Sequence, residues 1–208
     1  MVNYKLQRRT FLSFASLFPL FIFNSGLRAN DIYSIEKVLE PRYMGNVNAP
    51  IKFTEFISFT CSHCADFHIN KLPSIKEKYI DTGKIYFTYK DFPLDKFALK
   101  ASMIARCSGE RKFFSFLNVF YKKQKDWTRT KDPFKSLLKI AKVGGLKDEE
   151  LKVCIGNKSI EDGLLKDRLE SSKKYNITAT PTIYFNEKKF EGDLSFEAID
   201  LKIKTLLD

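Results

Sequence analysis

The chain has 208 residues, which is enough for one compact domain or for one domain with a large insertion. With 44 % hydrophobic residues and only nine Gly and seven Pro, it is not a disordered, collagen-like or low-complexity chain. The net charge is +11, and it falls to +7 without the four cations of residues 1–29. Because the remaining lysines are scattered along the chain, the sequence argues against nucleic-acid binding.

Residues 1–29 have the layout of a secretory signal. A basic start leads to an apolar run over residues 11–23, and small or polar residues follow it up to Ala29. A helix over that run spans only about 20 Å, which is shorter than the hydrocarbon layer of a bilayer. We therefore expect a signal peptide and a periplasmic protein, with an uncleaved anchor as the alternative. Because Arg8-Arg9 resembles a twin-arginine signal, both that route and the general secretory route stay open.

The first half of the mature chain, residues 30–94, predicts a strand, a helix and a second strand. Apolar and polar residues alternate over residues 51–57 and again over residues 84–89, which is typical of strands. Between them, residues 61–79 have helical spacing, with a kink expected at Pro73. Because a helix connects the two strands, we expect them to lie parallel.

Residues 95–175 carry no strand pattern and several helical ones, so we predict a helical insertion there. Strand pattern returns at residues 182–185, and an amphipathic helix over residues 196–206 closes the second half, residues 176–208. The order β-α-β, helices, β-β-α predicts an α/β protein with a thioredoxin fold, in which a helical domain is inserted between the two halves.

The motif Cys61-Ser62-His63-Cys64 follows a predicted strand and begins a predicted helix. The amide N–H groups and the positive dipole at a helix start stabilise a thiolate at Cys61, which makes it the attacking sulfur. Cys64 lies one turn deeper and is the expected resolving thiol, and a protonated His63 adds positive charge beside the thiolate. Since a stabilised thiolate favours the dithiol form, the oxidised pair is predicted to take electrons from client thiols.

A Cys-x-x-Cys pair also occurs in zinc sites. The candidates for further ligands are His63, His68, Cys107 and Cys154, none of which forms a second close pair, so we expect no metal. Dithiol exchange also needs no organic cofactor. We interpret His68 as an exposed helical histidine without a special role.

Two further positions complete the predicted site. Thr180-Pro181 lies just before a strand, where a cis proline presents the backbone of Thr180 to a client peptide beside the active sulfur. A trans proline that opens the strand is the alternative. Glu55 lies on the strand before the motif, and an inward carboxylate there would accept the proton that Cys64 must lose. An outward Glu55 on a half-exposed strand is the alternative.

Cys107 and Cys154 are 47 residues apart in the predicted helical insertion. In an exported protein such a pair favours a structural disulfide, which stabilises the fold by about 4 kcal/mol on the loop-entropy argument. Two buried unpaired thiols are the alternative, because helix geometry can hold the two Cα atoms beyond bridging range.

The chain resembles a known family in several motifs at once. These are Glu55-Phe56 before Cys61-Ser62-His63-Cys64, the run Lys90-Asp91-Phe92-Pro93-Leu94-Asp95, Ala105-Arg106-Cys107 and Thr180-Pro181-Thr182. Together they look like the DsbA-type thiol–disulfide oxidoreductases of bacteria, in particular the subgroup common in alphaproteobacteria, over residues 49–207. Ser62 and Thr180 depart from the Pro and Val of the best-known members, and both positions tune redox potential and choice of client.

The resemblance implies a periplasmic oxidase that is reoxidised by a DsbB-type, quinone-linked membrane protein, with Cys61 as nucleophile and Cys64 as its partner. Some members carry a second cysteine pair in the helical domain, which fits Cys107 and Cys154. We therefore expect a monomeric thiol–disulfide oxidoreductase that introduces disulfides into exported client proteins. The alternatives are a disulfide isomerase or reductase with the same cysteines and a non-catalytic peptide-binding chaperone.

Overall fold

A five-stranded mixed sheet runs through residues 34–208, the part of the chain that the computed structural model describes. The strands are β1 (Arg42–Met44), β2 (Ile51–Ile57), β3 (Ile85–Asp91), β4 (Thr182–Phe185) and β5 (Lys188–Lys189). Their order is β1-β3-β2-β4-β5, in which β2 and β3 are parallel and the other neighbours are antiparallel. The predicted signal peptide, residues 1–29, lies outside the described residues.

Helices connect and cover these strands. They are α1 (Ile35–Leu39), α2 (Ser62–Asn70), α3 (Leu72–Ile75), α4 (Lys96–Cys107), α5 (Glu110–Lys122), α6 (Gln124–Thr128), α7 (Pro133–Val143), α8 (Asp148–Ile155), α9 (Lys158–Tyr175) and α10 (Phe196–Leu207). A π-helical turn, Lys76–Ile80, follows α3. Within residues 34–208, no helix combines the length and the apolar character that crossing a membrane requires.

The predicted β-α-β unit is present, but its helix is divided. Helix α2 ends at Asn70, and Lys71 leaves helical geometry with φ −122° and ψ −49°. Helix α3 then begins at Leu72, so Pro73 lies in a first helical turn, where the N–H that proline lacks has no partner to lose. The proline thus starts a new helix instead of kinking a continuous one.

The sequence analysis missed α1 and β1, which precede the β-α-β unit. Strand β1 has three residues and forms the sheet edge beside β3, with Tyr43 opposite Thr88. A buried arginine of α4, Arg106, fixes this segment: its Nη1 donates to the carbonyls of Val38 and Glu40, each at 2.8 Å. These elements are too short for a periodic pattern, and they depend on a contact from far along the chain.

The helical insertion is well defined by its capping residues. The Asp95 side chain accepts hydrogen bonds from the first turn of α4, and Asn157 does the same for α9.

The chain returns to the sheet at β4, and Asn186 and Glu187 make the β4–β5 turn with φ of 46° and 69°. Two positive φ angles suit the right-handed twist of a tight hairpin. The predicted thioredoxin fold with a helical insertion is confirmed.

Candidate active site

Cys61 and Cys64 lie at the start of α2, directly after the loop that follows β2. Cys61 is the N-cap residue, and its sulfur accepts a hydrogen bond from the backbone N–H of Cys64 at 3.4 Å. Neither cysteine is in a disulfide; Cys61 is partly exposed and Cys64 is fully buried. A client can therefore reach the first sulfur but not the second.

The same surroundings act in opposite directions on the two thiols. The pKa of Cys61 is lowered to about 5, chiefly by a hydrogen bond from the Cys64 thiol. The side chain of Thr180 and the backbone N–H groups of Cys64 and His63 lower it further, whereas burial acts in the opposite direction. The pKa of Cys64 is raised well above its usual value, first by burial, then by its hydrogen bond to Cys61 and by the charges of Cys61 and Glu55. At neutral pH the site therefore holds one thiolate and one thiol.

Thr180 and Pro181 lie beside Cys61, and the peptide bond between them is cis. The Cys61 thiol donates to the backbone carbonyl of Thr180 at 3.1 Å, a contact that requires the protonated sulfur. The Thr180 hydroxyl is buried without a hydrogen-bond partner among the described residues, so it is available to donate when Cys61 is a thiolate. The carbonyl of Thr180 thus favours the protonated Cys61 thiol, whereas its hydroxyl favours the Cys61 thiolate.

Glu55 points inward and has no exposed surface. It lies in the middle of β2, between Tyr89 on β3 and Ile183 on β4. Its Oε2 is 2.9 Å from Nε2 of His68, and its Oε1 has no hydrogen-bond partner among the described residues. The carboxylate therefore belongs to the interior beneath α2.

The expectation that His68 is exposed is wrong, since it is 6 % exposed and bonded to Glu55. His68 follows Cys64 by four residues, so both side chains lie on the face of α2 that packs on the sheet. The sequence contained a signal for the burial of His68, because His68 lies one helical turn after Cys64, which was already expected to lie inside. His63, by contrast, is exposed, and the role of its side chain stays a prediction.

Gln124 and Tyr121 hold the loop before α2, and the sequence analysis did not identify either of them. The Gln124 amide donates to the carbonyls of Phe59 and Cys61, each at 2.8 Å. The Tyr121 hydroxyl donates to the carbonyl of Ser58 at 3.3 Å. These contacts span about sixty residues of sequence, and no local pattern announces them. The helical insertion thereby positions the loop that carries the reactive cysteine.

Cys107 and Cys154 form a disulfide that joins α4 to α8, with their Cα atoms 6.2 Å apart. This distance is within bridging range, so helix geometry does not keep the two thiols separate. Within residues 34–208, no three His, Cys, Asp or Glu side chains come close enough together to hold a metal ion.

Comparisons with known proteins place the chain in one family. The family model described as Thioredoxin matches residues 37–205. A putative protein-disulfide oxidoreductase of Rickettsia bellii is 33 % identical over 150 residues, which are 72 % of this chain but only 58 % of that protein, so the chain spans less than two thirds of this relative. A probable disulfide bond formation protein D of Bacillus cereus is 30 % identical over 173 residues, covering 77 % of this chain and 78 % of that protein.

A solved structure extends the match to three dimensions. The crystal structure of Wolbachia pipientis alpha-DsbA1 is similar with a TM-score of 0.75 and 33 % identity, and the alignment covers 80 % of this chain and 90 % of that one. A shared fold at this identity, the family match and the cysteine pair at the start of α2 lead to one conclusion. The chain belongs to the thioredoxin family, among its DsbA-like members.

Proposed function

We propose that this protein is a dithiol oxidase that introduces disulfide bonds into exported proteins through Cys61 and Cys64. The observation that carries the proposal is the unequal placement of the two thiols: Cys61 caps α2 and is partly exposed, whereas Cys64 is fully buried. This placement lowers the pKa of Cys61 to about 5 and raises that of Cys64. A stabilised thiolate at Cys61 favours the dithiol over the disulfide form. The oxidised pair then accepts electrons readily from client thiols.

The proposed reaction proceeds by two thiolate attacks. A client thiolate attacks Cys61 of the oxidised pair, so the Cys61–Cys64 bond breaks and a mixed disulfide forms. Cys64 leaves as a thiolate and takes a proton. The second client thiolate then attacks the client sulfur of the mixed disulfide, and Cys61 leaves as a stable thiolate. The client gains one disulfide by losing two electrons and two protons, the pair gains both electrons, and one proton goes to Cys64 and one to solvent.

Thr180 and Pro181 are the proposed client-binding residues. The Thr180 backbone lies within 3.1 Å of the Cys61 sulfur, so a client held against it has its own sulfur next to the reactive atom. Extended peptides commonly bind through backbone hydrogen bonds of this kind. Thr180 also faces Cys61 with its hydroxyl, which links client binding to the stability of the thiolate.

The proposed setting is the periplasm, where the protein acts as a monomer without a metal or an organic cofactor. The Cys107–Cys154 disulfide supports this setting, because disulfides persist in oxidising compartments. Turnover requires an oxidant for the dithiol, and we assign this role to a DsbB-type, quinone-linked membrane protein. Glu55, buried and with one open oxygen, is the proposed acceptor of the Cys64 proton during reoxidation.

The direction of electron flow is tested by equilibrating the purified protein with reduced and oxidised glutathione. The oxidase proposal predicts a potential well above the value of about −270 mV that is usual for thioredoxin. A potential at or below that value would overturn the oxidase and favour a reductase.

A client assay completes the test. The protein is mixed with a reduced, unfolded peptide that contains two cysteines, and the loss of free thiols is measured. We expect oxidation by the wild type in its oxidised form and none by Cys61→Ala. When reduced Cys64→Ala is mixed with the same peptide in its disulfide form, the Cys61 thiolate should attack that bond, release one client thiolate and stay trapped in a mixed disulfide. Full activity of Cys61→Ala would instead favour a non-catalytic chaperone, and reshuffling of a scrambled client without net oxidation would favour an isomerase.

A further inference from the structure

A groove lies between α5 and α7 in the helical insertion, and α6 closes one end of it. It has a volume of about 710 Å³ and a mainly apolar lining. Each long helix contributes a stripe at helical spacing, which is residues 112, 115, 116 and 119 of α5 and residues 136, 139, 140 and 143 of α7. None of the residues that line the groove belongs to the active site described above.

The floor of the groove is aromatic and its lip is aliphatic. Phe116 and Trp127 form the floor with 5 % and 0 % exposed surface, and the Trp127 indole N–H donates to the carbonyl of Phe120 at 2.9 Å. Val119 and Val143 line the opening and are 39 % and 84 % exposed. A site of this size and lining suits the hydrocarbon part of a ligand.

Three exposed lysines, Lys112, Lys123 and Lys139, line the same groove. Among the described residues, Lys112 and Lys139 form no salt bridge. Asp126 also lines the groove, and its carboxylate is 3.9 Å from the Lys123 ammonium. The rim therefore carries a net positive charge, and we call the cavity with its three lysines the basic groove.

The segment that forms the basic groove also carries the positive charge of the whole protein. Lys and Arg occur all along the chain, but residues 111–147 contain 11 of them against only two acids, Asp126 and Asp132. All 11 cations are exposed. The resulting net charge of +9 exceeds the +7 of the chain without residues 1–29, so the remainder of that chain is slightly negative. Such an asymmetry favours an anionic partner on this side of the molecule.

We propose that the basic groove docks the protein on a membrane surface that contains anionic phospholipids. An acyl chain of one lipid enters between α5 and α7, and lipid phosphates lie against the three lysines. Exposed clusters of Lys and Arg bind anionic bilayers, and burial of hydrocarbon in the groove adds to this attraction. A nucleic acid or an acidic protein segment would match the charge but would leave the apolar floor without a ligand. This docking is independent of the thiol chemistry proposed above.

Trp127 provides the measurement, because it is the only tryptophan of the chain and lies on the floor of the groove. The protein is purified after export and removal of the predicted signal peptide, so that residues 1–29 do not themselves bind lipid. It is titrated with vesicles whose acyl chains carry bromine, which quenches indole fluorescence at short range. We expect quenching by mixed phosphatidylglycerol and phosphatidylcholine vesicles, reversal of this quenching by high salt, and none by phosphatidylcholine alone.

The contribution of the lysines is tested with Lys112→Gln/Lys123→Gln/Lys139→Gln. Binding to the anionic vesicles should weaken by about a hundredfold, because three charges that face the lipid phosphates are removed. The matched control replaces three exposed lysines that lie outside α5–α7, which are Lys166→Gln/Lys173→Gln/Lys188→Gln. Its affinity should stay within about threefold of the wild type.

The entry of an acyl chain is tested with Val143→Asp, which places a carboxylate at the lip of the groove. Quenching of Trp127 should be lost, because the added charge repels the lipid phosphates and is costly to bury beside hydrocarbon. Leu201→Asp on α10 is the control, since Leu201 is also strongly exposed, at 67 %, and should leave the quenching unchanged. Client oxidation in solution should be the same in all four variants, which separates this test from that of the proposed function.

Several results would overturn membrane docking. These are the absence of quenching by the anionic vesicles, equal weakening in the two triple variants, and unchanged quenching in Val143→Asp. Quenching by a monomeric brominated fatty acid without binding to vesicles would instead assign the groove to a small amphiphile. Tighter binding of a DNA duplex or of polyglutamate than of the vesicles would assign the basic surface to an acidic polymer, and it would likewise reject the membrane.

Discussion

Two residues of the same type, three positions apart, differ in chemistry because of where α2 begins. Cys61 precedes the first helical turn, where unpaired N–H groups point at its sulfur, and it keeps partial access to solvent. Cys64 lies inside the first turn and is fully buried against the core. The helix start therefore separates a nucleophile from its resolving partner.

Alkylation measures this difference directly. The reduced protein is treated with iodoacetamide from about pH 4 to about pH 9, and modification of each cysteine is followed by mass spectrometry. We expect Cys61 to react with a midpoint near pH 5, because its pKa is lowered to about 5. Cys64 should stay unmodified throughout, because it is buried and its pKa is raised. A midpoint for Cys61 at the value of an ordinary thiol would contradict the structure of the site.

At the scale of elements, the helical insertion supports the site from one side. Helices α5 and α6 hold the loop before α2 through Tyr121 and Gln124. Helix α4 packs against α5 and α8, and the disulfide fixes α4 to α8. Cross-linking two helices 47 residues apart restricts the unfolded chain more than the folded one.

The contribution of this disulfide is measurable in a Cys61→Ser/Cys64→Ser background, where Cys107–Cys154 is the only bond that a reductant can break. Adding dithiothreitol should lower the free energy of unfolding by about 4 kcal/mol in urea titrations. A variant that also carries Cys107→Ser and Cys154→Ser should not respond to the reductant. A loss well under about 1 kcal/mol in the first variant would show that the bond does not constrain the unfolded chain.

For the whole molecule, the thiolate at Cys61 makes the stability of the reduced protein depend on pH. The pKa of Cys61 is lower in the folded protein than the value of 9.0 for an ordinary thiol, so folding stabilises the thiolate. This contribution is complete above the unfolded pKa and disappears as the pH falls through about 5. The raised pKa of Cys64 acts only at higher pH, where the unfolded thiol begins to ionise.

Comparing the reduced wild type with reduced Cys61→Ser isolates this effect. Between about pH 5 and about pH 8, the wild type should gain free energy of unfolding over the variant as the pH rises. Because Cys61 is partly exposed, the slope should be below the value of about 1.4 kcal/mol per pH unit of a fully shielded group. Denaturant titrations at several pH values provide the measurement. A difference that stays constant with pH would contradict a lowered pKa.

Local patterns in the sequence determined the order of the main elements. Period-two alternation predicted β2 with its observed bounds, Ile51–Ile57, and the cysteine motif lay at a helix start as expected. Such features depend on neighbours in the chain, because strand and helix periods are set by the backbone itself. The sequence thus contained the thioredoxin fold and the position of the reactive pair.

Only the tertiary structure decided what surrounds that pair. Glu55 is paired with His68, and the loop before α2 is held by Tyr121 and Gln124. All three partners come from other elements of the fold. Likewise Arg106 connects α4 to the N-terminal segment that the sequence analysis missed. Burial and pairing between distant residues set the protonation state of a site. Both depend on how the elements pack, and no local period in the sequence encodes that packing.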